Sequence, residues 1–248
     1  MLNVFNTPGY ALDSMMIPEP NERQYEEAKE KSEQGLRKIL ERLSFRDESP
    51  IHTFFMISQF NNLLEAIKDV IEKKDIQMVV MGTKGATDAN NLVYGSNTIL
   101  AMEKIRNCPI LAIPKEVVYK EPKEIVFPTN FKTSFKHREL QYLTEIAKIS
   151  NAAIRILYIS KSDELTLEQE NNKGLLEENF DGLTYSFHTL HNVDVNGGLS
   201  AFVESRDSDM ITFINRKHSF FGSIFSRPMV KDLGYHAKVP VLTLHDIN

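Results

Sequence analysis

Short apolar runs alternate with amphipathic stretches along the whole chain. Runs rich in β-branched residues predict strands in the first half at Leu2–Asn6, Ile51–Ile57, Gln77–Gly82 and Pro109–Ile113. Runs of the same kind predict strands in the second half at Glu124–Phe127, Ala153–Ile159, Leu183–Leu190, Met210–Ile214 and Val239–Leu244. Strands that alternate with helical stretches are typical of βαβ units and of a mostly parallel sheet.

The stretches between the strands place apolar residues at helical spacing. They predict a long helix near Glu22–Leu43, a second that carries Phe60, Leu63, Ile67, Val70 and Ile71, and a shorter one after Gly95. In the second half they predict helices near Lys136–Ile149, Leu165–Asn179, Gly198–Ser205 and Pro228–Leu233.

The two halves also resemble each other in their letters. Cys108–Ile113 parallels Val239–Leu244, and Gln77–Met81 parallels Asp209–Phe213, at an offset of about 131 to 132 residues. A duplicated unit of this length predicts tandem α/β domains rather than a solenoid, whose periods are far shorter. We therefore predict domains at 1–116 and 124–248, with the charged segment 117–123 as a linker.

Composition narrows the class of protein without naming a function. The 248 residues are 42% hydrophobic and carry a net charge of -5, which excludes a disordered chain and gives no basic excess for nucleic acid or anionic membranes. The single cysteine, Cys108, cannot form an internal disulfide, and no apolar run is long enough to span a bilayer. We expect a soluble, cytoplasmic protein.

One segment of the sequence has the residues of a possible anion-binding site. Met81 ends a predicted strand and is followed by Gly82, Gly85 and Gly95 at fixed spacing, then by Ser96, Asn97 and Thr98 at the start of a predicted helix. Glycine lets the backbone turn and a ligand approach closely, while a helix start offers free N–H groups and a dipole to an anion. In the alternative interpretation, the glycines only make a turn and Ser96 only caps the helix.

The spacing Gly-x2-Gly-x9-Gly-Ser, the preceding Val-Val-Met and the following Cys-Pro-Ile-Leu-Ala-Ile-Pro resemble the universal stress protein family. The resemblance implies tandem doubly wound sheets of the adenine-nucleotide-hydrolase-like type, each ordered 3-2-1-4-5, and a homodimer through a final strand, Pro109–Ile113 or Val239–Leu244. Some members bind ATP. The matching nucleotide-binding positions would be Val4, Met81, Gly82, Lys84, Gly85, Gly95, Ser96, Asn97 and Thr98.

The second copy departs from this pattern. Its corresponding loop lacks the first two glycines, and Asn130 stands where the family has an aspartate. We therefore expect no family-type ATP site there. The basic residues of the loop either hold some other anion or are simply solvated; they are Arg216, Lys217, His218 and Arg227.

Three functions remain open: a regulatory protein that binds ATP or ADP, a nucleotide-free dimeric interaction scaffold, and a slow ATPase. Asp88 is the only carboxylate that the sequence places near the glycine loop, so no catalytic residue is assigned, and no metal motif is present. The protein partner of such a regulator is not identified by the sequence.

The first copy also lacks residues. About 35 residues separate Glu124 from Ile159, whereas only three precede Val4, the matching position of the first copy. One strand and one helix are therefore missing, and in the family order that strand is the central one. Either this chain is shortened or the copy has been trimmed. We expect Leu2–Asn6 to pair directly beside Gln77–Gly82, or another segment to fill the position, and we expect nucleotide binding to be weak.

Overall fold

The computed structural model describes residues 1–7, 22–45, 51–82, 96–160, 164–216 and 238–246. These residues form two compact units, Met1–Asp75 and Ile76–Asn248. The predicted linker 117–123 lies inside the second unit. The division into domains 1–116 and 124–248 stays a prediction about the repeat.

The first unit is a small α/β assembly. Its elements are β1 (Leu2–Phe5), α1 (Glu22–Ser44), β2 (Ile57–Phe60) and α2 (Leu63–Lys74). β1 and β2 are parallel, and the rings of Phe5, Tyr25 and Phe60 pack with centroids 5.4–5.7 Å apart. This aromatic contact joins α1 to both strands.

The second unit contains a seven-stranded sheet in the order β3-β4-β9-β8-β5-β6-β7. All of its pairings are parallel except that of β4 with β9. This is the predicted doubly wound α/β class, which is confirmed. The elements are β3 (Val79–Gly82), α3 (Ser96–Lys104), β4 (Ile110–Ile113), β5 (Glu124–Thr129), α4 (His137–Ser150), β6 (Ala153–Ser160), α5 (Leu167–Asn179), β7 (Tyr185–His191), α6 (Val195–Arg206), β8 (Met210–Asn215) and β9 (Val241–His245).

The last strands of the two sequence repeats pair with each other. β4 and β9 run antiparallel, with Leu111 opposite Leu242, and each has a second neighbour in the same sheet, β3 and β8 respectively. Neither strand is an edge. The prediction that a homodimer forms through these strands is therefore wrong, because their backbone groups are already paired within the chain.

The strand order of the second repeat, β7-β6-β5-β8-β9, is the expected 3-2-1-4-5. In the first repeat, β2 and β1 correspond to positions 3 and 2, while β3 and β4 correspond to positions 4 and 5. Among the described strands, none pairs with β3 on the side away from β4, and β1 pairs with β2 alone. The expected pairing of Leu2–Asn6 beside Gln77–Gly82 is thus not found in this part of the chain.

Two boundaries differ from the prediction for local reasons. The strand expected at Ile51–Ile57 begins only at Ile57, since Phe60 completes the aromatic contact while Phe55 is 71% exposed. The helix expected to include Phe60 starts at Leu63, where the Asn62 side chain accepts the N–H of Glu65 as an N-cap. The predicted helix at Pro228–Leu233 lies outside the described residues.

Substitution of two glycines of the second unit by alanine should change the stability of the protein in opposite directions. A Cβ on Gly198 in α6 would lie 2.8 Å from Val193 Cγ2 and 3.2 Å from Ile159 Cδ1, whereas one on Gly174 in α5 meets no atom within 4 Å. We predict that Gly198→Ala lowers the free energy of unfolding by about 1–3 kcal/mol through overpacking. Gly174→Ala should raise it by about 0.5–1 kcal/mol, since alanine favours a helix. Urea titrations of both variants test this, and shifts of the same sign would contradict it.

The environment of His245 should make the free energy of unfolding decrease at acidic pH. Its side chain is buried, and burial together with the nearby Arg106 charge lowers its pKa to about 4. The unfolded chain therefore protonates this histidine below about pH 6.5, whereas the folded protein protonates it only below about pH 4. The stability that the neutral histidine contributes is complete above pH 6.5 and is lost as the pH falls from 6.5 to 4.

We predict that the free energy of unfolding falls between pH 7 and pH 5, and that His245→Leu removes about 2 kcal/mol of that fall. Urea titrations at both pH values measure it. Burial raises the pKa of the Glu124 carboxyl, but hydrogen bonds from Arg206, Arg155 and Ser208 outweigh burial and hold the folded pKa at about 2. Because the unfolded value is 4.5, the stability that this group contributes is lost mainly below pH 5, outside the measured window. The same pH dependence in the variant would contradict the assignment.

Candidate functional site

The junction between β3 and α3 is the candidate site. β3 ends at Gly82 and α3 begins at Ser96, so the strand end and the helix start belong to one crossover unit. The hydroxyl of Thr98, which is 2% exposed, donates to the carbonyl oxygen of Gly82 at 2.9 Å. Thr98 thereby ties the first turn of the helix to the end of the strand. Because its proton is used in this bond, Thr98 holds the helix start in place and has no proton left to donate to a phosphate.

Among the described residues, no atom lies within 4 Å of the position that a Cβ on Gly82 would occupy, so their packing does not demand glycine here. The first turn of α3 presents backbone N–H groups without helical partners, and the Asn97 side chain is exposed beside them. This arrangement can hold an anion through backbone N–H groups and the positive end of the helix dipole.

The remaining predicted positions are spread over different parts of the chain. Met81 is half-buried in β3, and Val4 is half-buried in β1 of the first unit. The backbone of Ser96 opens α3, while Lys84, Gly85, Gly95 and Asp88 lie outside the described residues. Their part in a nucleotide site stays a prediction.

At the equivalent strand end of the second repeat, the described residues form an ion pair. Arg216 follows β8 and donates to the Glu139 carboxylate at 3.0 Å and to the Ser134 carbonyl at 2.8 Å. The Glu139 side chain is 1% exposed, and the Arg216 guanidinium also lies 5.7 Å from the centre of the Phe135 ring. The Arg216 side chain is 18% exposed and its charge is matched by Glu139, so the structure supports neither alternative for this residue, an anion site or a solvated loop. Lys217, His218 and Arg227 lie outside the described residues.

Asn130, at the position of the family's aspartate, is used within its own turn. Its Oδ1 accepts the N–H of Lys132 at 3.0 Å, and its carbonyl oxygen accepts from Gln169 at 2.8 Å. The next residue, Phe131, has a left-handed φ of 55° and is buried. These contacts help to fix the shape of the turn after β5.

Cys108 behaves as a packing residue. Its thiol is buried at the start of β4 and donates towards the Ile76 carbonyl at 3.4 Å. Burial raises its pKa to about 11, so almost no thiolate forms at neutral pH.

Sequence reasoning missed two contacts. The bond from Thr98 to Gly82 spans 16 residues, and the ion pair of Arg216 with Glu139 spans 77. A Glu at the third residue of α4, within a capping box, was the one local signal for the second contact. That signal identifies the cap, but not the arginine.

Within the described ranges, no helix is long and apolar enough to cross a membrane. The same residues contain no group of three or more His, Cys, Asp or Glu side chains that could hold a metal ion.

The sheet order and the crossover helices define a doubly wound α/β protein, and solved structures narrow the fold. A universal stress protein from Archaeoglobus fulgidus DSM 4304 is similar over 97% of this chain and 84% of its own, with a TM-score of 0.66 and 14% sequence identity. A putative universal stress protein from Pseudomonas aeruginosa UCBPP-PA14 is similar over 98% and 92%, at 0.56 and 11%. The functionally unknown protein PA1789 from Pseudomonas aeruginosa PAO1 is similar over 86% and 77%, at 0.56 and 12%.

No protein-family model matches the sequence, and no curated protein matches it. The structural likeness nevertheless extends over nearly the whole chain. This chain has the fold of the universal stress proteins.

The ion pair at the second junction predicts a large, non-additive effect. We expect Arg216→Met to lower the free energy of unfolding by about 3–5 kcal/mol, because it leaves the buried Glu139 carboxylate without its cation. The double variant Arg216→Met/Glu139→Gln should recover much of that loss. A double-mutant cycle measured in urea tests this, with Arg138→Met on the exposed face of α4 as the control. Additive effects of the two substitutions would contradict the coupling.

Proposed function

We propose that this chain is a universal-stress-type cytoplasmic regulatory protein that binds adenine nucleotide, as ATP or ADP, through the β3–α3 junction. The observation that carries the proposal is the strand end at Gly82, which the Thr98 hydroxyl holds against the first turn of α3 and where a Cβ would meet no described atom within 4 Å. A nucleotide phosphate suits this geometry, since it needs several backbone N–H donors and the positive end of a helix dipole.

Binding should be weak and dominated by the phosphates. The contacts we assign to phosphate are made by Gly85, Gly95, Ser96 and Asn97. The base would lie towards the outer side of β3, where none of the described strands pairs. A base that has no strand beside β3 to contact contributes little affinity or selectivity. The Arg216–Glu139 ion pair argues against a second nucleotide site in the other repeat.

Regulation fits these residues better than catalysis. The junction supplies donors and a dipole, but a slow ATPase also needs a general base or a positioned water, and Asp88 is the only carboxylate that the sequence places near the glycine loop. A nucleotide-free interaction scaffold is the second candidate, favoured by the side of β3 on which no described strand pairs and by Val80, which is 62% exposed. A homodimer stays a prediction, for a surface other than β4 and β9.

The test is calorimetry with ATP, ADP and GTP on the purified chain. We expect weak binding of all three nucleotides, with little preference for adenine, and we expect Gly95→Val to abolish it, because a branched residue replaces a glycine of the predicted phosphate-binding motif. Gly174→Val in α5 is the matched control, since a Cβ there meets no atom within 4 Å, and it should bind like the parent.

Each other outcome selects a different function. Tight, adenine-selective binding would contradict the prediction that the base is held only weakly. Unchanged binding by Gly95→Val would move the site away from this junction. Release of phosphate on incubation with ATP would favour the ATPase, and no binding to the parent chain would favour the scaffold.

A further inference from the structure

A second site lies where β4 ends. Because β4 runs antiparallel to β9, the end of β4 and the starts of β9, β8 and β5 lie at the same end of the sheet. The connection 114–123 runs from β4 to β5 and must pass the two strands between them. A cavity of about 750 Å³ lies here, bounded by this connection, the last turn of α6 and the strand ends. We call it the linker cavity.

The wall of the linker cavity is largely apolar. Its principal apolar residues are Val80, Leu111, Ile113, Val118, Tyr119 and Val203. Three of these side chains are unusually exposed for their type: Val80 at 62%, Val118 at 83% and Tyr119 at 87%. Single exposed apolar residues are ordinary, but several that face one cavity of this size are typical of a ligand site.

The charged residues of the linker cavity set the sign of its ligand. Six ionisable side chains line it: Glu116, Lys120, Glu204, Asp207, Asp209 and Lys238. Both lysines are in ion pairs, Lys120 with Asp209 at 2.6 Å and Lys238 with Glu204 at 3.1 Å. Glu116 and Asp207 lie outside these two pairs, so the lining holds two more carboxylates than ammonium groups.

The backbone adds to this negative charge. Val203, Glu204 and Asp207 belong to the last turn and C-cap of α6, and the carbonyl end of a helix carries partial negative charge. A bound anion would therefore meet both the excess carboxylates and the helix end. A cation would be favoured by both.

We propose that the linker cavity binds an amphiphilic cation, a molecule with an apolar body and a protonated amine. The body packs on Val80, Leu111 and Val203, and the ammonium group lies at Glu116 and Asp207. The chemical class is opposite to that of a nucleotide, although Val80 precedes Gly82 by only two residues on the same strand. The proposal does not depend on nucleotide binding.

The experiment compares three probes of equal chain length and different charge: octylamine, 1-octanol and octanoate, at pH 7 and low salt. Ligand-observed NMR or calorimetry on the full chain gives the affinities. We expect octylamine to bind at least about tenfold more tightly than octanoate, with octanol between them, and we expect the difference to shrink at high salt.

Two variants separate the charge from the apolar wall. Glu116→Gln/Asp207→Asn should lower octylamine affinity to about that of octanol; asparagine suits the left-handed φ of 51° at position 207. Glu168→Gln/Asp181→Asn makes the same change in charge on exposed residues outside the cavity and should bind like the parent. Tyr119→Ser should weaken octylamine and octanol alike by several-fold, and Ile149→Ser, another exposed apolar position, should weaken neither.

Three results would overturn the proposal. Octanoate could bind as tightly as octylamine, or the two carboxylate double variants could behave alike. ATP could also displace octylamine, which would make the linker cavity part of an anion site.

Discussion

The antiparallel pairing of β4 with β9 is the contact on which the second unit depends. It involves only three residue pairs, from Ile110 with Thr243 to Ala112 with Val241. Without it, β3, α3 and β4 would join no other described strand, because within the described part of the chain β3 and β4 pair otherwise only with each other. Ile110 and Ala112 are fully buried, and Asn215 of the second repeat donates to the Met102 carbonyl of the first. One sheet therefore contains strands from both repeats.

Much of this fold could be predicted from the sequence because its elements are locally encoded. Apolar runs of β-branched residues identify strands that are buried on both faces, and nearly every described strand overlaps its predicted range. The partner of a strand is not encoded in that way. Pro109–Ile113 and Val239–Leu244 were recognised as equivalent, but a run that is apolar on both faces is equally suited to a second copy or to its own repeat. Only the three-dimensional arrangement shows that the two strands meet.

The candidate site likewise has one part that the sequence predicts and one part that it does not. The glycine-rich segment between a strand and a helix is visible in the sequence, since the spacing of the glycines and the helix start are local features of the chain. The side-chain contacts that define the two junctions are not visible. Thr98 was expected to face a phosphate and instead bonds to Gly82, while Arg216 was expected to be free and instead pairs with Glu139. Threonine and arginine have several hydrogen-bonding options each, and tertiary packing selects among them.

The antiparallel pairing of β4 with β9 also explains how one end of the sheet can favour an anion at one place and a cation at another. Gly82 is paired with Ile113, so the β3–α3 junction and the linker cavity occupy neighbouring strand ends. At the first, a helix begins; near the second, α6 ends. In an all-parallel doubly wound sheet, every crossover helix starts at the carboxyl end of the strands, and helix N-termini collect there. Here the reversal of direction between β4 and β9 places a helix start and a helix end at the same end of the sheet. Donors for an anion and acceptors for a cation are thereby brought to adjacent strands of one chain.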